Sequence, residues 1–223
     1  MTSPPATHEP RSRTARATRT RILEAARREL GRNADSSLGD IAEAAGVARR
    51  TVYAHFAGRA ALVGGLAADA GEAIRVAIAV TDAPGPVTGQ APDAATALAR
   101  VVLTLWPVGD RYRTLIGLAR TRQDLGANGF SGLLTPVRDK VAGILARGQR
   151  QGVFRTGVPP GPLSRALEAH MLALLDSVNS GIWADDGTGA ATTTLIAAGA
   201  DRDVAASTVR RLCDADQPGR SAQ

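Results

Sequence analysis

Eight consecutive residues, Arg49-Arg50-Thr51-Val52-Tyr53-Ala54-His55-Phe56, hold the densest set of side chains able to do chemistry in this 223-residue chain. Each of the two adjacent guanidinium groups can grip guanine O6 and N7, or a phosphate, through paired hydrogen bonds. The Thr51 and Tyr53 hydroxyls and the His55 imidazole can donate to phosphate oxygens. On a helix, Val52 and Phe56 lie one turn apart and face inward, while Arg49, Arg50 and Tyr53 fall on the opposite side. The pattern describes a helix buried along one face and set to read nucleic acid with the other.

Such a helix needs a support. Upstream, Leu38, Ile41, Ala42 and Ala45 repeat at the i, i+3, i+4, i+7 spacing of a buried helical face. Ser36 or Ser37 supplies an N-cap, and Asp40 in the first turn suits the helix dipole. Ala42 is small enough for a close crossing. Gly46 follows the apolar run, where the chain must turn with positive φ, and Val47 fills the angle between the two helices. Helix, tight turn, helix is the arrangement that lays a second helix in the major groove of double-stranded DNA.

Around this core runs a longer string: Arg21-Ile22-Leu23-Glu24-Ala25-Ala26, Asp40-Ile41-Ala42, Ala45-Gly46-Val47, Thr51-Val52-Tyr53-Ala54-His55-Phe56, Arg59 and Leu62. Taken whole, it resembles the DNA-binding domain of the TetR (tetracycline-repressor-type) regulators, over about a fifth of the chain. The resemblance implies an all-α homodimer. It has an N-terminal three-helix helix-turn-helix DNA-binding domain and a C-terminal helical domain for a small-molecule effector and the partner subunit. It also implies that Ser37 touches phosphate from the start of the second helix, and that Thr51, Tyr53 and His55 touch phosphate or bases. Arg59 stands where the family often has lysine, and is expected at the DNA with a different contact geometry. Three departures bear on the operator: Ala48 replaces a common serine, Arg50 a common small residue, and 31–35 lacks the frequent aromatic.

Composition agrees. Hydrophobic residues make up 44% of the chain but aromatics only 3%, so alanine, leucine and valine must build the core, as closely packed helices allow. The formal net charge is +6. Eleven arginines against six acids place +5 of it within residues 1–60, at the end that would meet DNA. Cys213, the sole cysteine, forms no intrachain disulfide, and a reducing cytoplasm is the expected setting. No run approaches the ~20 apolar residues of a membrane span, and the polar N-terminus lacks a signal-peptide core.

The expected organisation is a disordered basic arm (1–16), a DNA-binding domain (17–57), a ligand-binding and dimerisation domain (58–214) and a disordered tail (215–223). The first helix is expected over 17–30, and the fourth over 59–80, with Leu62, Leu66, Ala70, Ala73, Ile74 and Ala77 inward. Gly64, Gly65 and Gly71 weaken the fourth helix, for flexing or for close packing. A loop at 81–92 leads to a helix capped by Asp93 and ended by Pro107. Further helices are expected over 110–122, 131–151, from the prolines at 159–162 to 184, and over 190–213 with a break at Gly199–Asp201. The stripe Leu163, Leu167, Met171, Leu174, Leu175, Val178 and Ile182 serves as dimer seam or internal core.

In the segments that line family pockets lie Trp106, Tyr112, Leu115, Phe130, His170 and Leu174, with Leu118 and Leu134 beside them. Each is candidate ligand contact or plain core. No cofactor is implied. The three histidines and Cys213 lack metal-ligand spacing, no nucleophile, phosphate-loop or dinucleotide motif is present, and Asp185-Asp186 reads as a solvated turn. Enzymatic activity is not expected. A ligand-released repressor is the leading reading. A ligand-independent DNA-binding regulator and a helical interaction protein are the alternatives.

Overall fold

In a computed structural model, the structure describes residues 9–82, 92–113, 115–117 and 132–215. Among the described residues the chain is helical, without strands. Their contacts divide them into two compact units, residues 9–69 with 115–117, and 70–82 with 92–113 and 132–215. The division falls inside a helix, after Asp69.

The first unit is built on α1 (Glu9–Arg32), α2 (Leu38–Ala44), α3 (Arg49–His55) and the first turns of α4 (Arg59–Asp82). Ile22, Leu23, Ala25, Ala26 and Leu30 of α1 face its core with Ile41 and Ala42 of α2, Val52 of α3, Phe56, and Leu62, Val63 and Leu66 of α4. The first helix starts eight residues before the expected 17. The run Arg11–Arg16, read as a disordered arm, forms its opening turns. Arginine and alanine are good helix formers, and this segment has no glycine or internal proline beyond Pro10 to stop them. Gly46 (φ +61°) and Gly58 (φ +120°) make the turns that precede α3 and α4 in the left-handed region that favours glycine.

The second unit packs around α5 (Ala94–Arg111). Ala94, Ala95, Ala97, Leu98, Ala99, Val101, Val102 and Trp106 are buried, almost all the way round the helix, as a central helix requires. Around it lie α6 (Thr135–Arg150), α7 (Pro160–Asn179), α8 (Thr188–Ala197) and α9 (Arg202–Ala215). Asp93 caps α5 through the Thr96 N–H at 2.9 Å. Burial pushes its carboxyl up, but the Thr96 and Ala95 hydrogen bonds and the charge of Arg211 more than reverse this and hold it below 3.8. Pro107 does not end α5. It sits exposed within the helix, which continues to Arg111 because Trp106 and Tyr112 on either side are buried.

Of the helix expected over 110–122, residues 110 and 111 close α5 and 115–117 are helical, while 114 and 118–122, like 83–91 and the rest of 118–131, lie outside the described residues. Pro136 opens α6, and Gly152 (φ +71°) closes it. At Gly148 a Cβ would stand 2.9 Å from Ala94 Cβ and against the Phe154 ring, so glycine lets these groups meet. The fork of Arg138 on α6 holds Glu168 of α7 at 2.9 Å, and the Ser164 hydroxyl donates to the Arg138 carbonyl at 3.0 Å. The last helical region breaks at Gly199 (φ +97°), and Asp201 caps α9 through the Asp203 N–H.

Two expectations about α7 change. It ends at Asn179, with Gly181 in the left-handed region, so Ile182 lies beyond it and is 81% exposed. Leu163, Leu167 and Leu175 are buried in the protomer's own core, and Met171, Leu174 and Val178 are half-buried. Gly109 of α5 gives Leu175 its place: a Cβ there would lie 2.7 Å from Leu175 Cδ1. Three of the seven stripe residues are therefore internal to the protomer, and three are half-buried.

Candidate nucleic-acid interface

The candidate reading helix, α3, is seven residues long and has no side-chain cap at Ala48. A helix that short is unstable alone, so its place depends on neighbours. Val52 and Phe56 anchor it at 0% and 2% exposure. Arg49, Arg50, Tyr53 and Ala54 are exposed and form one continuous face, with Thr51 and His55 half-buried at its margins. The Arg49 guanidinium lies 5.8 Å from the centre of the Tyr53 ring, one turn on. This contact holds both side chains up from the helix with less freedom to lose on binding.

Ser37, not Ser36, caps α2. Its Oγ accepts from the N–H groups of Gly39 and Asp40 at 3.2 Å each, and its own N–H donates to the Asp40 carboxylate at 2.8 Å, a closed capping box. That backbone hydrogen bond, then the Ser37 hydroxyl and the Arg49 charge, hold the Asp40 carboxyl below its usual range. Ser36 is buried, and its hydroxyl donates to the carbonyls of Asn33 at 2.9 Å and Glu29 at 3.3 Å. Ser37 is exposed beside α3 but fixed by its cap.

Arg59 differs from the other candidates. Its Nη1 donates to the Ser36 carbonyl at 2.8 Å and its Nη2 to the Ala34 carbonyl, while its Nε is buried. A contribution that the sequence did not reveal comes from Arg19 of α1. Its guanidinium lies 4.4 Å from the centre of the Phe56 ring and reaches the His55 carbonyl at 3.5 Å. The signal was present in the spacing, because Arg19 stands three and four residues before the buried Ile22 and Leu23 and borders the same face.

The expected pocket residues have the following surroundings. Trp106 is buried, donates its indole N–H to the Asp185 carbonyl at 3.2 Å and meets Trp183 edge-on at 6.3 Å. Asp185, read as solvated, accepts from the N–H groups of Gly189 and Ala190 at 2.9 Å each and caps α8. Tyr112 is buried beside Arg111, and His170 lies 3.4 Å from the Thr193 hydroxyl, its imidazole pushed below 6.5 by burial. Leu174 is half-buried, Leu115 is buried in the other unit, and Phe130 and Leu118 lie outside the described residues. Leu134 stands at the start of α6. Among the described residues no group of histidine, cysteine and carboxylate could hold a metal ion, and no helix is long and apolar enough to cross a membrane.

Residues 22–66 match the family of bacterial regulatory proteins, tetR family. Solved structures share the fold over most of both chains. The TetR-like transcriptional regulator LfrR from Mycobacterium smegmatis, in complex with proflavine, is 24% identical, with 84% of this chain and 96% of that one covered and a TM-score of 0.62. A gamma-butyrolactone receptor (ArpA-like protein) is 18% identical, with 91% and 99% covered and a TM-score of 0.67. The transcriptional regulator FadR from Bacillus subtilis, in complex with stearoyl-CoA, is 17% identical, with 81% and 97% covered and a TM-score of 0.63. No curated protein sequence matches the chain.

Proposed function

We propose that this chain, a TetR-family transcriptional regulator by its N-terminal domain, is a ligand-released repressor that binds a pseudo-palindromic operator as a homodimer. The observation that carries the reading is the exposed face of Arg49, Arg50 and Tyr53 on a short helix whose other face is fully buried. Entering the major groove, this face puts two guanidinium forks at base edges, with Thr51, His55 and Ser37 toward the phosphates. The domains of the proposal are the head, through α3, and the helical body that follows. Two heads about 34–36 Å apart would read half-sites one helical turn apart.

The partner seam is the outer face of α7, where Ala166, Ala169 and Ala173 are exposed, with Ile196 of α8 and Val204 of α9 at 37% and 46% exposure. Small residues let a second copy approach closely. For an effector, the neighbours offer proflavine and stearoyl-CoA, two unlike molecules, so the fold does not choose the ligand class. A ligand that favours the wrong head spacing would weaken operator binding by coupling of about 1–3 kcal/mol. The α4 helix, which begins in one unit and ends in the other, is the lever.

Genomic selection tests the reading. Sheared source DNA is incubated with the protein at moderate salt, and the bound fragments are sequenced. Enrichment of a near-palindrome supports specific reading and names the regulated neighbourhood. Salt-sensitive binding without enrichment leaves only phosphate attraction and sinks the proposal.

A further inference from the structure

Arg59 belongs to the basic head by position, yet its half-buried guanidinium turns to the protein's own backbone. Nη1 donates to the Ser36 carbonyl at 2.8 Å, Nη2 to the Ala34 carbonyl, and Nε is out of water. Arginine presents its donors in a rigid planar fork, so one side chain can bridge two carbonyl oxygens of a single turn. A lysine ammonium keeps the charge but not the fork.

The turn that Arg59 grips ends in Ser37, the N-cap of α2. On its other side the turn is tied to α1 by the Ser36 hydroxyl, which donates to the Glu29 carbonyl, and it is closed on itself by the Ser36 hydroxyl on the Asn33 carbonyl and by Asn33 Oδ1, which accepts the Asp35 N–H at 3.0 Å. All of these residues lie in one compact unit. The start of α4 and the start of α2 are therefore joined by one side chain, through backbone atoms that no substitution in the turn itself would remove.

We propose that Arg59 is a positioning residue of the reading head. It locks the 33–37 turn, and with it Ser37 and α2, onto the first turn of α4, and it is not a phosphate contact. Any shift at the start of α4 reaches the support of the reading helix through this fork. The inference rests on the DNA-reading function proposed above and refines it: the cation expected at the DNA works on the backbone of its own head.

The test compares Arg59→Lys, with Arg59→Gln as the uncharged control, against the wild type. Binding is measured on the duplex recovered by genomic selection and on a scrambled duplex of equal length, over a series of salt concentrations. Circular dichroism fixes the folded fraction. The expected result is a loss of about tenfold or more on the selected duplex for Arg59→Lys, with little change on the scrambled one. Its slope of log affinity against log salt stays at the wild-type value. Full rescue by lysine, with Arg59→Gln reducing the slope by about 0.9 on both duplexes, overturns the proposal and makes Arg59 a phosphate contact. A lower thermal midpoint with discrimination intact also overturns it, because Arg59 would then support the fold without positioning the reader. Should the wild type select no duplex, the DNA-reading function fails, and hydrogen exchange decides the clamp separately. Faster exchange at the amides of Gly39, Asp40 and Ile41 in Arg59→Lys supports it, and unchanged exchange overturns it.

Discussion

The ring of Phe56 serves three helices. It ends α3, lies under the Arg19 guanidinium of α1 at 4.4 Å, and stands where a Cβ on Gly65 of α4 would come within 2.7 Å. Phe56→Ala should therefore cost about 3–5 kcal/mol in chemical denaturation, the range for emptying a buried aromatic site. Arg19→Met keeps most of the aliphatic stem and loses the cation above the ring, so about 1 kcal/mol is expected. A loss for Arg19→Met as large as that for Phe56→Ala would mean that Arg19 carries more than this contact. His170 gives a pH dependence whose sign follows from burial. Its folded-state pKa lies below the unfolded value of 6.5, so the fold favours the neutral ring. The stability tied to that preference is present above 6.5 and is lost as pH falls through 6.5 toward the lowered folded value. His170→Gln cannot take up the proton. Between about pH 7.5 and about pH 5.5 the wild-type melting temperature should fall more than that of the variant, and parallel curves would remove His170 as the cause.

Adjacent glycines in α4 separate two effects that sequence alone leaves mixed. At Gly64 a Cβ meets nothing within 4 Å, and at Gly65 it would strike Phe56 Cε1 at 2.7 Å and lie 3.2 Å from Leu23 Cδ2. Gly64→Ala should stabilise by about 0.5–1 kcal/mol through helix propensity and the less flexible unfolded chain. Gly65→Ala gains the same propensity but overpacks a filled site, and a net loss of about 1–2 kcal/mol is expected. Equal and favourable changes at both positions, read from denaturation midpoints, would show that Phe56 yields freely. The elements themselves were legible where local chemistry and packing agree: the inward apolar spacing of α2, the Asp93 cap of α5, and the break at Gly199 before Asp201. They were misread where tertiary burial overrides a local signal. Pro107 looks like a stop, but Trp106 and Tyr112 are both buried and carry α5 past it. The stripe from Leu163 to Val178 has the period of an interface and of a core alike, and the Gly109–Leu175 approach, between residues 66 positions apart, places Leu175 in the core. The exposed face of Arg49, Arg50 and Tyr53 followed from period alone. The grip of Arg59 on the 34–36 turn did not, because its partners are backbone carbonyls that no residue type announces.

On the scale of the whole molecule, charge and assembly are expected to work together. Most of the net charge of +6 lies in the first 60 residues, so each head attracts DNA but gives little sequence choice by charge alone. Choice comes from base-edge contacts. Arg49→Ala or Arg50→Ala should cost about 1–3 kcal/mol on the selected operator and relax preference at one base position per half-site, whereas an equal loss on every duplex would demote that arginine to a phosphate contact. Joining two heads makes those modest preferences count twice at one site, and this requires the dimer. Ala169 and Ala173 are exposed on α7, so a glutamate at either place meets solvent in the monomer but would bring like charges together across the proposed seam. Ala173→Glu should leave the helical content unchanged, halve the sedimenting mass, and remove the rise of melting temperature with protein concentration that a dimer shows. Operator affinity should fall toward that of a single head. A variant that sediments with the wild type would place the seam elsewhere on the second unit, away from the outer face of α7.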